Sequence, residues 1–202
     1  MLSTSDNKII WKLNKGSETI FEYCKGIYKL PELEFKDNID AQIDKLSKLN
    51  CVDIQKMKSA IQFIAKKSQH GTSVIFMDKN TLDNQLKILS SYHRTYQVVP
   101  FDLEEGVSKF EGMLAIDGAI LADTNCNCYA VGAIVEAELV AIGKIGRGAR
   151  YNSLVNYVHA IFEKEKANTE RSGEVICFAV IISEDETIDV EIPNEDSLYG
   201  YD

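Results

Sequence analysis

Between Gly143 and Ser153 the sequence reads GKIGRGARYNS, with three glycines and three cations inside eight residues and an apolar helical pattern directly after. Glycines at 143, 146 and 148 let a backbone approach a ligand closely. Arg147 and Arg150 carry paired donors that match phosphate oxygens, and a helix starting near Arg150 aims amide N–H groups at an anion. The segment therefore reads as a phosphate cradle. It is neither a Walker loop nor a dinucleotide fingerprint, because the glycine spacing fails both patterns.

Two acidic stretches could complete such a site. Asp117-Gly118-Ala119 falls in an apolar run, where a carboxylate is expensive unless it meets a partner, a metal or water. A β-turn opening at Asp117 accounts for the same residues. Ser183-Glu184-Asp185-Glu186 follows the strand-like VICFAVII, and acids at a strand end can hold a divalent ion, although a solvated turn has the same composition. His70 and His93 are possible bases at element ends, where capping roles are commoner. Cys126 and Cys128 form a C-x-C without the second pair that a structural zinc needs, so free thiols in a turn are expected.

The elements that must position these residues follow from periodicity. Ile20, Phe21, Cys24, Ile27 and Tyr28, then Ile39, Ile43, Leu46 and Leu49, recur at helical spacing and predict a helical pair over residues 1–50. A third helix is predicted over Asp53–Lys67, a strand at SVIFM, a helix over Thr81–Tyr92 and a strand at YQVVPF. GMLAIDGAILAD and CYAVGAIVEAELVAIG read as strands joined by the turn-prone DTNCN. A helix over Ser153–Lys164 precedes two further strands. Strands mixed with helices without strict alternation imply an α/β or α+β fold on a mixed sheet, with an N-terminal helical extension (1–50) and a main domain (51–202).

The totals set limits. With 202 residues, 45% apolar and 26% charged, and only three prolines, the chain is expected to build one substantial core. A formal net charge of -9 argues against a DNA partner. The longest apolar run is eight residues where a membrane span needs about 20, so no membrane and a cytoplasmic location are expected. Five cysteines at irregular spacing argue against a disulfide framework.

Taken in order, KKSQHGTSVIFM, DGAILAD, GRGARYNS and IISEDETI resemble the diadenylate cyclase domain family, the nucleotide-binding module of the DNA-integrity scanning protein and its relatives. The resemblance runs from about Asp53 to Ile192. The family's Asp-Gly-Ala motif maps onto Asp117, Gly118 and Ala119. Its Gly-Thr-Arg-His-Arg motif maps onto Gly148, Ala149, Arg150, Tyr151 and Asn152, keeping one arginine and replacing Thr, His and the second Arg. Its Ser-Glu-Glu segment maps onto Ser183, Glu184 and Asp185.

The resemblance implies a mixed, twisted sheet flanked by helices, and condensation of two ATP molecules into cyclic di-AMP across a head-to-head pair of domains, hence a homo-oligomer. It implies Asp117 and Arg150 as catalytic residues and a divalent metal, Mg²⁺ or Mn²⁺, at Asp117 and Glu184. Nucleotide contacts would come from Gly118, Ala119, Arg147, Gly148, Ala149, Tyr151, Asn152, Ser153 and Ser183, with Tyr151 able to stack on a base. The changes at 149, 151 and 152 leave a second reading open, a noncatalytic sensor that binds a nucleotide or cyclic dinucleotide in the same pocket.

Overall fold

The computed structural model describes residues 10–15, 18–24, 27–29, 38–49, 53–68, 70–136, 148–169, 173–183 and 187–193. The chain divides into two compact units, Met1–Asn38 and Ile39–Asp202.

The smaller unit is a three-stranded antiparallel meander, β1 (Ile10–Lys15), β2 (Glu18–Cys24) and β3 (Ile27–Lys29). This corrects the helical expectation for residues 16–30. Ile20, Cys24 and Ile27 do fit a helical period, but Thr19, Phe21 and Tyr23 also alternate with Ile20, Glu22 and Cys24 at period two. The two-residue intervals between strands hold Gly16-Ser17 and Lys25-Gly26, a hairpin signature that outweighs the helical spacing.

The larger unit opens at the second residue of α1 (Asn38–Asp44) and continues into a 3₁₀ turn (Lys45–Lys48); Ile43 and Leu46 are buried, as the second half of the helical pair requires. Then follow α2 (Ile54–Lys67), β4 (Thr72–Met77), α3 (Lys79–Ser91), β5 (Tyr96–Asp102), α4 (Leu103–Lys109), β6 (Ala119–Asp123), β7 (Asn127–Ala133), α5 (Ala149–Lys166), β8 (Cys177–Ile182) and β9 (Ile188–Glu191). The six strands β4–β9 form one mixed sheet in the order β5-β7-β6-β4-β8-β9. Only β4 and β6 run parallel; the other pairs are antiparallel. The α/β architecture expected from the sequence is present.

Two apolar layers sandwich this sheet. One face carries Val74, Phe76, Ile120, Phe178 and Val180 against α2 (Met57, Ile61, Ile64) and α4 (Leu103, Val107). The other carries Ile75, Leu121, Ala179 and Ile181 against α3 (Leu82, Leu86, Leu89) and α5 (Leu154, Val155, Val158). β4 and β8 are therefore buried on both faces, which is why they read as continuous apolar runs.

The run GMLAIDGAILAD is not a single strand. Glu111–Ala115 forms a 3₁₀ turn, residues 116–118 bend, and only Ala119–Asp123 is extended. The DTNCN hairpin is as expected: Asp123 accepts from the amides of Asn125 and Asn127, both at 2.9 Å, and Cys126 takes φ 63°.

Short α4 had no periodic signal, and its start is fixed by a cap. Asp102 accepts from the amides of Glu104 (3.0 Å) and Glu105 (3.3 Å) and pairs with Lys56 at 2.9 Å. Burial would raise the Asp102 carboxyl, but Lys56 and the two amides outweigh it and hold the group below its ordinary value. A depressed folded-state pKa gives stability that is present above the unfolded value and lost as pH falls through the folded one. Asp102→Ala should thus cost about 1 kcal/mol at pH 7. In urea titrations that cost should shrink below about pH 4; a pH-independent cost would refute the charge assignment.

Candidate functional site

Register decides which motifs meet. Val74 of β4 lies beside Ile120 of β6, Ala119 beside Ala133 of β7, and Thr72 beside Ile182 of β8. The amino ends of β4 and β6 and the carboxyl ends of β7 and β8 consequently share one end of the sheet. Asp117-Gly118 directly precedes β6, and Ser183 directly follows β8, its N–H donating to the Thr187 carbonyl at 2.9 Å. Their strands are separated only by β4, about 10 Å from one another.

Helix α5 reaches the same end. Its eighteen residues make a rod of about 27 Å, long enough to cross the sheet. Its carboxyl-terminal portion lies at the far end: Glu165 Oε1 is 3.4 Å from Asn84 Nδ2 in the first half of α3, which follows the far end of β4. The start of α5, Gly148 to Ser153, is therefore at the Asp117 end. Gly148 is the N-cap, and among the described residues no side chain caps the helix there. Gly148, Ala149, Arg150 and Ser153 are exposed and Asn152 is half-buried. Tyr151 is only 7% exposed and belongs to the α3–α5 core, so its ring is packing material in this arrangement.

Asp117 is exposed, which resolves the cost of a carboxylate in an apolar run. Its position is set by glycines. Gly118 has φ +101°, and a Cβ there would lie 2.7 Å from the Gly132 carbonyl carbon and 2.8 Å from the Ala133 oxygen. Gly132, at φ +64°, has the Asp117 carbonyl 3.4 Å from where its own Cβ would be. Two backbones thus touch where β6 begins and β7 ends. Ala119, the next residue, is buried.

His70, exposed and one residue before Gly71, also falls at this end, at the entry to β4. His93, at φ 54°, donates its backbone N–H to the Ser90 carbonyl at 3.1 Å, the helix-end role expected of it. Arg147 and Glu184, with Gly143, Gly146 and Asp185, lie outside the described residues.

Three polar pairs escaped sequence reading because their members are far apart in the chain. Buried His159 meets Glu191 at 2.9 Å, Arg94 pairs with Glu136 at 2.7 Å, and the Tyr157 hydroxyl donates to Gln85 at 2.8 Å. Cys126 and Cys128 are buried free thiols, each pushed up to about 12 by burial. Among the described residues no group of three or more His, Cys, Asp and Glu is placed to hold a metal ion, and no helix is long and apolar enough to cross a membrane.

No family model matches the chain, and no curated protein matches it. Among solved structures it is similar to DacA from Staphylococcus aureus, solved as a double cysteine mutant. That likeness has a TM-score of 0.42 and 18% identity, and covers 71% of this chain and 89% of the other.

Proposed function

We propose that the chain binds ATP or a related nucleotide at the sheet end marked by Asp117, and joins two such molecules into a cyclic dinucleotide between two copies of itself. The observation that carries this reading is the convergence of Asp117-Gly118, the uncapped start of α5 and Ser183 at one end of the sheet. Each bond-forming step would join a 3′-oxygen from one copy to the α-phosphorus held by the other, breaking the α–β bridge and releasing pyrophosphate.

In this scheme the helix start and Arg150 hold phosphates, and Gly118 admits the nucleotide close to the backbone. Asp117 accepts the 3′-hydroxyl proton or ligates a divalent ion. One exposed carboxylate fits Mg²⁺ or Mn²⁺ only as an ion carried with the nucleotide, since Mg²⁺ commonly takes one or two carboxylates plus phosphate oxygens and water. Glu184 would be the second protein ligand, and the ion would offset charge on the α-phosphate and leaving pyrophosphate.

A second reading has its own support. With Tyr151 in the core and Ala149 contributing a methyl group, Arg150 is the sole described cation in the first turn of α5. That is little charge for a triphosphate transition state, and it suits a domain that binds a nucleotide without turning it over.

Incubating the chain with ATP and Mg²⁺ or Mn²⁺, followed by chromatography and mass spectrometry, separates the two. Product should form, fall at least about 100-fold in Asp117→Asn, and decline per protomer on dilution, while stability stays unchanged because the side chain is exposed. Saturable ATP binding with no cyclic or linear dinucleotide would leave the sensor reading alone. Neither binding nor product would remove both.

A further inference from the structure

A cleft of about 500 Å³ opens between α3 and α5, and its lining includes none of Asp117, Arg150 or Ser183. That volume is in the range of small-molecule sites. Its polar floor is Gln85, 2% exposed, whose Nε2 has no hydrogen-bond partner among the described residues. The amide oxygen is taken by the Tyr157 hydroxyl at 2.8 Å. A phenol both donates and accepts, so whichever way the amide is turned, one of its two polar atoms is left unpaired. Burial raises the Tyr157 phenol above its ordinary value, which keeps its proton in place.

A buried, orphaned amide is unfavourable for folding and is uncommon in native interiors. Here it belongs to a residue lining a concave space that Ile88, Ile161 and Tyr92 also line, the last 71% exposed. The Arg94–Glu136 ion pair stands at the rim. A carboxamide that can pair with a heterocyclic edge, a ring free to stack, and apolar walls together form the recognition set used for bases taken out of a helix.

We infer that the α3–α5 cleft is a binding site for a planar nitrogen heterocycle of nucleobase type, held edge-on by the Gln85 amide and stacked against Tyr92. The cleft shares no lining residue with the Asp117 site, although its Arg94–Glu136 edge lies toward the same end of the sheet, and the inference does not depend on that reading.

The test uses the full chain with adenosine and guanosine as phosphate-free probes, titrated by calorimetry and by amide shifts in NMR. At least one should bind saturably. Gln85→Leu, which removes the amide and keeps the bulk, should weaken it about tenfold, the effect of losing one buried hydrogen bond. Tyr92→Ala, a change on the surface that leaves the fold intact, should weaken it by a similar factor, and Lys66→Ala, an exposed position on α2 across the sheet, should leave it unchanged. Absence of saturation by either nucleoside overturns the inference. So does binding that survives both cleft substitutions, since that result places the heterocycle elsewhere.

Discussion

Phe178→Ala is expected to destabilise the larger unit by about 3–5 kcal/mol. Phe178 and Phe76 face each other across the β8–β4 pairing, both fully buried, with ring centroids 5.2 Å apart and planes inclined by 20°. Truncating one ring forfeits its transfer free energy and its stacking, and leaves a void bounded by a sheet interior. Both strands are covered on both faces, so the surroundings cannot collapse easily into that void. Phe178→Leu keeps most of the volume and should cost about 1.5 kcal/mol or less. Guanidinium unfolding of the three proteins measures this. Equal losses for Ala and Leu would mean that ring stacking, and not cavity formation, dominates at this position.

The parts of the fold legible in the sequence are those where one period dominates over several turns or a whole strand. Ile54, Met57, Ile61 and Ile64 marked α2 because all lie against one layer, and the VICFAVII run marked β8 because neither of its faces meets water. Residues 10–29 fit a helix as well as strands because isoleucines and aromatics placed every three or four residues satisfy both periods when strands are short and only two residues apart. The segment 103–115 was missed for a different reason. A seven-residue helix and a 3₁₀ turn are set by the Asp102 cap and by local packing, not by any repeat.

The candidate site divides in the same way. Asp117-Gly118 and Gly148-Ala149-Arg150 could be picked out because glycine beside a charged residue, at a change of period, has few structural uses. That they share an end of the sheet could not be read, because it depends on β4 pairing parallel to β6 while β8 returns antiparallel. Gly132 was invisible for the same reason, since its φ of +64° and the Ile116 and Tyr96 side chains beside its Cβ position arise only once β7 lies between β6 and β5. Gln85 reads as an ordinary polar position of α3 until Tyr157, far along the chain, takes one side of its amide.

Gly118→Ala tests the link between fold and site most directly. A residue with a side chain at φ +101° is strained by about 1–3 kcal/mol, and the new methyl would meet three backbone atoms, 2.7 to 2.9 Å away, none of which can rotate aside. Relief requires the start of β6 to part from the end of β7, at the cost of the Ala119–Ala133 pairing, so a total loss of about 3 kcal/mol or more is expected. Gly148→Ala is the matched control: its φ is -63° and its Cβ would meet nothing within 4 Å, so stability should change by less than about 1 kcal/mol. Nucleotide binding at saturating stability, in cold buffer with both variants folded, then discriminates. If Asp117 must be held where Gly118 places it, Gly118→Ala should bind ATP more weakly than the parent even when fully folded. A folded Gly118→Ala with parental affinity would mean that the contact between β6 and β7 supports the sheet alone, and would move the nucleotide away from this end.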